Sequence, residues 1–221
     1  MITVLSYITV GVNMEIINTT SAKTRSDILE SAQKEFIQLG FSGASLRKIA
    51  VGAGVTTGAL YCHFRDKNAL FEEIVAPIYN GFIRKYEAAS NLFFTNLKTQ
   101  GLNSKWKSET HINETIIEYI YDNVPMFRLL VNGSKGSSYE NFMDTIIKLE
   151  IKTTKKYFNI AKIYGYTKKN ITNEELYIFT NAQFSCIFQM ILHDIPKIKV
   201  HRLSKNIVRF FKAGWYTLLM E

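Results

Sequence analysis

The stretch Ser45–Phe64, SLRKIAVGAGVTTGALYCHF, holds two short helical segments separated by a glycine turn. Ser45 stands as an N-cap ahead of Leu46, Ile49 and Ala50, which share one helical face. Gly54 supplies a turn, and Thr56 stands as the N-cap of a second helix. Two short helices joined in this way form a helix-turn-helix, the unit whose second helix enters the major groove of DNA. Phase assigns the faces of that second helix. Leu60 and Phe64 are four residues apart and apolar, so with Val55 they point into a small core. Thr57 and Tyr61 are also four apart but one position out of phase, and face outward. Gly58 beside them has no side chain to hinder approach to a base pair or phosphate. The hydroxyls of Thr56, Thr57 and Tyr61 and the imidazole of His63 are group types that bind phosphates and base edges. Lys67 falls in the first turn of the next helix, where its ammonium and the helix N-terminus can jointly hold a phosphate. Three of these positions keep a second reading: Tyr61 as a half-buried packing residue, Arg47 as a solvated charge, and His63 as a cap on its own helix.

Outward from this core the pattern stays helical. Towards the N-terminus, Thr24 with Asp27 makes a capping box for a helix whose face is Ile28, Ala32, Phe36 and Leu39, closed by Gly40 as a left-handed cap with Phe41 folding back. Asp66 starts a long fourth helix with Leu70, Ile74, Ile78 and Phe82 as its apolar ladder, and Pro77 is expected to kink it. Gly101–Glu109 reads as a loop. Helices are expected over roughly 110–122, 125–133 and 138–162, the last opened by a Ser137–Glu140 capping box after the turn Gly133–Gly136. Thr172 with Glu175 caps a helix to about His193, and Pro196 separates it from a final helix of about 201–220. The expected fold is therefore all-α, with about nine helices. Residues 1–21 form an N-terminal extension, in part disordered and with a start expected at Met14. Residues 22–71 form the helix-turn-helix head, and 72–221 a regulatory and dimerising bundle.

Composition narrows the function. A hydrophobic share of 47% is enough for a packed core and excludes a wholly disordered chain. No run of eighteen apolar residues is present, so no membrane span is expected. Cys62 and Cys186 are too far apart in sequence to suggest a metal or disulfide framework, which favours a reducing, cytoplasmic setting. The four histidines (His63, His111, His193, His201) lack metal-ligand spacing, and Gly133–Gly136 fits a turn, not a phosphate-binding loop. No local motif marks a catalytic set, so neither an enzyme nor a cofactor is expected. The net charge of +8 suggests nucleic acid. Its distribution argues otherwise, for residues 22–75 carry only +1 and residues 76–221 carry +8. The lysine and arginine stripes of the bundle (Lys152, Lys155, Lys156; Arg202, Lys205, Arg209, Lys212) read as solvated faces.

Thr24–Ile74 resembles the DNA-binding head of the TetR-family transcriptional regulators. The likeness rests on Phe36-x-x-x-Gly40-Phe41, Ser45-Leu46-Arg47-x-Ile49-Ala50, Ala53-Gly54-Val55 and Leu60-Tyr61-x-His63-Phe64-x-x-Lys67. A weaker likeness covers Phe127–Val131 with Gly133-Ser134, and Phe210-Phe211-x-x-Gly214-Trp215. The resemblance implies that Tyr61 and Lys67 anchor phosphates and that Thr56 caps the recognition helix and touches the DNA backbone. It also implies that Arg47, Thr57, Gly58 and Ala59 face base edges, with His63 on a phosphate or base. Two positions depart from easy packing. Gly52 sits late in its helix, where glycine costs about 1 kcal/mol relative to alanine. Cys62 stands where the family often has a larger aromatic, which is expected to loosen packing.

One head reads too few base pairs for specificity, so a homodimer on a palindromic operator is expected. The last two helices carry apolar stripes, Phe179, Ile187, Met190 and Ile191 on one and Ile207, Phe211, Gly214 and Leu218 on the other. Either stripe can be internal core; the resemblance favours a dimer interface. It also implies a small-molecule effector bound in the bundle that lowers operator affinity, with Pro77 as a hinge. The sequence identifies no pocket residue. The alternative is an activator or architectural DNA-binding protein without a ligand.

Overall fold

A computed structural model describes the backbone of residues 3–100, 114–165, 167 and 169–220, and the side chains of 20–96, 114–165, 167 and 169–218. The expected loop Gly101–Glu109, with Trp106, and the first residues of the expected 110–122 helix lie outside the described residues. Every regular element among the described residues is helical: α1 (Thr3–Gly43), α2 (Leu46–Gly52), α3 (Thr57–His63), α4 (Lys67–Gln100), α5 (114–122), α6 (Val124–Asn132), α7 (Phe142–Ile163), α8 (Asn173–Leu192) and α9 (Lys197–Met220). The chain forms two compact units that part within α4. One holds Met1–Ala76 with Asn132–Tyr139, and the other holds Pro77–Val131 with Glu140–Glu221. The α4 helix runs unbroken through Pro77.

In the first unit, α1 begins before the expected capping box. Thr24 lies inside the helix, where Lys23 pairs with Asp27 at 2.9 Å across one turn. No proline interrupts the residues ahead of Thr24, so nothing in the chain stops the helix from extending backwards. Ile28, Ala32 and Phe36 are fully buried as expected, but Leu39 is exposed. Gly40 adopts φ 68°, ψ 175°, and α1 resumes for one further turn. Phe41 thereby stacks beside Phe36 and meets Phe71 edge-on at 5.1 Å. Ile49, Ala50, Leu60, Phe64, Leu70, Phe71 and Val75 complete the core.

The α4 stripe differs from the expected ladder. Leu70 and Phe82 are buried, whereas Ile74 and Ile78 are only half-buried. A strict four-residue step drifts about 40° per turn against a 3.6-residue helix. The buried line therefore shifts to Phe71 and Val75 in the first unit and to Phe82, Tyr86, Phe93 and Phe94 in the second.

The second unit has two aromatic clusters. Phe82, Phe127, Phe142 and Phe188 pack edge to face, with Phe82–Phe127 at 5.6 Å and Phe142–Phe188 at 5.9 Å. Phe93, Phe94, Tyr157, Phe158, Ala161 and Leu176 form the other, with Trp215 packed against it. The Tyr86 hydroxyl donates to Glu150, and burial with that carboxylate pushes the phenol far above its ordinary range. The Thr172–Glu175 capping box is complete: Thr172 Oγ1 accepts from the Glu175 N–H at 3.2 Å, and Glu175 Oε2 accepts from the Thr172 N–H at 2.8 Å. At the other end of α8, Arg128 donates to the Ile191 carbonyl at 2.8 Å and pairs with Asp194. The expected Ser137–Glu140 box does not form. The α7 helix starts only at Phe142, while Ser137 donates to the Ser134 carbonyl at 2.6 Å and closes a turn. The last helix starts at Lys197, directly behind Pro196, earlier than the expected 201.

Gly40 and Gly54 share φ 68°, but a Cβ at Gly54 meets nothing, whereas one at Gly40 lies 3.1 Å from the Gly133 carbonyl oxygen. Gly40 also sits in a backbone region that only glycine occupies readily. Urea unfolding should therefore show Gly54→Ala losing about 1 kcal/mol and Gly40→Ala losing more, up to about 3 kcal/mol. Equal losses would contradict the tight Gly40–Gly133 approach.

Candidate nucleic-acid interface

The α2–turn–α3 unit is held from behind by α1. Ser31 Oγ donates to the Ile49 carbonyl at 2.9 Å, and a Cβ on Gly52 would lie 2.4 Å from that same oxygen. Close approach to α1 is thus the reason for a glycine late in α2. Ser45 occupies the N-cap position of α2 with extended backbone, but its side chain makes no cap bond. Its N–H instead donates to Glu35 Oε1 at 3.2 Å. Leu46 is half-buried, so Ile49 and Ala50 anchor α2. In the turn, the Val55 N–H reaches the Ala50 carbonyl at 2.9 Å. Thr56 caps α3 as expected, its Oγ1 accepting from the Ala59 N–H at 3.1 Å.

The faces of α3 match the phase reading. Leu60 and Phe64 are buried, Val55 is half-buried, and Tyr61, one position out of phase, stands 52% exposed. Thr56 and Gly58 are exposed; Thr57, Ala59 and His63 are partly so. The nearest atom to a Cβ built on Gly58 is Thr56 Oγ1 at 3.8 Å, so the fold itself has no need of glycine there. Arg47 and its neighbour Lys48 project from α2 into solvent. Cys62 is exposed and so lies outside the core that it was expected to loosen.

Lys67 is more engaged than its position in sequence indicates. Its ammonium lies 4.8 Å from the Phe41 ring centre and 3.4 Å from the Ser42 carbonyl oxygen. Burial holds it below the ordinary lysine range despite the opposing pull of Glu35. Asp66 takes one of the free N–H groups at the start of α4, its Oδ1 accepting from Ala69 at 2.7 Å. Arg25, absent from the sequence reading, ties α1 to α4. It grips both carboxylate oxygens of Glu73 and lies 4.9 Å over the Phe64 ring. The 48 residues between Arg25 and Glu73 leave no local signal for that pair. Thus Arg47, Thr56, Thr57, Gly58, Ala59, Tyr61, His63 and Lys67 all fall in the first compact unit.

The stripes expected at a dimer interface divide. Ile187, Met190 and Ile191 are buried in the core of the second unit, and Phe179 packs edge-on against Trp215 at 5.7 Å. The face of α8 they define is therefore internal, because apolar spacing identifies a buried face and not the neighbour that buries it. On α9, Ile207 and Phe211 are half-buried, whereas Gly214 and Leu218 are exposed. The apolar groups most open to solvent on these helices are Ile178, Ile198 and Phe210. Among the described residues, no group of three or more His, Cys, Asp or Glu could hold a metal ion, and no helix is long and apolar enough to cross a membrane.

Comparison with known proteins places the head. Residues 28–74 match the family described as bacterial regulatory proteins, tetR family. The probable HTH-type transcriptional regulator YttP of Bacillus subtilis is 32% identical over 111 residues, 49% of this chain and 54% of that protein. The HTH-type transcriptional regulator AcrR of Shigella flexneri is 54% identical over 52 residues, 24% of each chain. The chain thus spans about half the length of the first relative and about a quarter of the second. NalD, the secondary repressor of the MexAB-OprM multidrug efflux pump in Pseudomonas aeruginosa, shares the fold, with a TM-score of 0.58 at 19% identity over 88% of this chain and 96% of that one.

The Gly52–Ser31 approach sets a specific expectation. Gly52→Ala alone should destabilise the head by about 1–2 kcal/mol in thermal or urea unfolding. In a Ser31→Ala background, where no oxygen remains to collide, the same change should cost nothing or stabilise, since alanine favours helix by about 1 kcal/mol. Additive effects of the two changes would refute the close approach.

Proposed function

We propose, from the match of residues 28–74 to the family described as bacterial regulatory proteins, tetR family, that the chain is a dimeric, sequence-specific repressor that leaves a palindromic operator when a small molecule binds its second unit. The observation that carries the DNA-reading part is the outer face of α3. It pairs an exposed Tyr61 and the hydroxyls of Thr56 and Thr57 with a glycine that the fold does not require. Arg47 on α2 and Ala59 add groups that meet base edges, while Tyr61, His63 and Lys67 bind phosphates.

The second copy joins through the outward faces of α8 and α9, where Ile178, Phe210, Gly214 and Leu218 are exposed. A two-fold axis there repeats the reading head on both halves of a palindrome. The repressor sign follows the description of NalD. Release by a ligand amounts to a coupling free energy of about 1–3 kcal/mol between the bundle and the head. Pro77 is the hinge of this coupling, since the two compact units part at that residue.

Selection of bound duplexes from random oligonucleotides, then footprinting with and without small-molecule extracts, tests the reading. A palindromic footprint lost on adding extract supports it, and a bound but unresponsive complex supports regulation without a ligand. On the selected duplex, Lys67→Ala should make the negative slope of log affinity against log salt shallower by about 0.9. Gly58→Ala should weaken binding about tenfold or more while leaving the melting temperature unchanged or higher. In sedimentation, Phe210→Glu should shift the dimer towards monomer. If Pro77→Ala leaves both operator affinity and ligand response unaltered, Pro77 is not the hinge.

A further inference from the structure

Residues 133–138 lie far from the head in sequence, yet they are built into it. The Phe41 N–H donates to the Gly133 carbonyl at 2.6 Å, Ser42 Oγ donates to the Lys135 carbonyl at 2.6 Å, and Asn68 Oδ1 accepts from the Ser138 N–H at 2.8 Å. Ser134 and Ser137 are buried, and a Cβ on Gly136 would sit 3.4 Å from Ser42 Oγ and 3.6 Å from the Phe41 ring. The same two residues, Phe41 and Ser42, form the rest for the Lys67 ammonium, one through its ring and the other through its carbonyl. The third anchor, Asn68, directly follows Lys67.

We propose that residues 133–138 act as a strap that positions Lys67: docked on Phe41, Ser42 and Asn68, they fix the surfaces that aim the lysine at DNA. The proposal rests on reading the head as a DNA interface. Lys67 has a long, rotamer-rich side chain, and holding it in one place before DNA arrives removes part of the ordering cost of binding. The strap is covalently continuous with α6 and α7. Lys67 is then a residue placed by the strap, and Phe41–Ser42 is the relay between them. The downward shift that burial imposes on the lysine is a by-product of the same packing.

The test uses the full chain with Ser42→Ala and Asn68→Ala combined, which removes two strap bonds and leaves the Ser42 carbonyl and Phe41 ring in place. Three quantities are read: hydrogen exchange at the Phe41 amide, the titration of Lys67 followed by NMR of its ε-carbon, and affinity for a duplex selected with the unaltered chain. The expected result is Phe41 exchange faster by about tenfold with Ile49 and Leu60 amides still protected. The Lys67 midpoint should also rise towards the ordinary lysine value, and affinity should fall about fivefold. In a Lys67→Ala background the affinity loss should vanish. Faster Phe41 exchange with Lys67 titration and affinity unchanged overturns the proposal, as does unchanged Phe41 exchange. If the unaltered chain selects no duplex, the DNA reading fails, and exchange and titration alone decide whether the strap places Lys67.

Discussion

At Gly40 the backbone takes φ 68° and ψ 175°, a combination that side-chain-bearing residues scarcely adopt, and α1 changes direction for its last turn. This reversal sets Phe41 between Phe36 and Phe71, turns its N–H towards the Gly133 carbonyl, and leads the chain towards the start of α2. The core that orients α3 is assembled around those rings. A straight α1 would carry Phe41 away from Phe71 and leave the Gly133 carbonyl without that donor. The position of α3 is in this sense inherited from one backbone conformation twenty residues before its centre.

Much of the head was readable because its determinants are local. Thr56 caps the helix that follows it, and the offset between Leu60–Phe64 and Thr57–Tyr61 sorts inside from outside within about two turns. Several contacts that escaped the sequence reading are long-range. Arg25 with Glu73, Ser31 against Gly52, and the strap on Phe41 and Ser42 join residues whose spacing follows no helical period. The bundle was harder to read for a related reason. Its helices are apolar over wide arcs, and a stripe such as Ile187, Met190 and Ile191 looks the same whether its neighbour belongs to the same chain or to another copy. Ser137 misled because a serine followed three residues later by glutamate is also compatible with a tight turn, and here the hydroxyl closes one.

The electrostatics of the head follow a similar economy. Arg25 is paired with Glu73 and Lys34 with Glu30, so these charges cancel locally and leave the head's net charge at only +1. Lys67 is partly desolvated and directed by its packing. Such a surface favours short-range fit over a broad field.

The first compact unit is discontinuous, for Asn132–Tyr139 is added to it after the chain has passed through more than fifty residues of the other unit. During synthesis, the head helices therefore emerge before the segment that accepts the Phe41 amide and packs Tyr139 beside Phe71. A nascent chain short of residue 132 presents α1 to α3 and the start of α4 without the segment that packs against Phe41 and Phe71, and this unit reaches its final packing only once that segment has been made. Completion of the first unit thus waits on synthesis of the intervening residues 77–131.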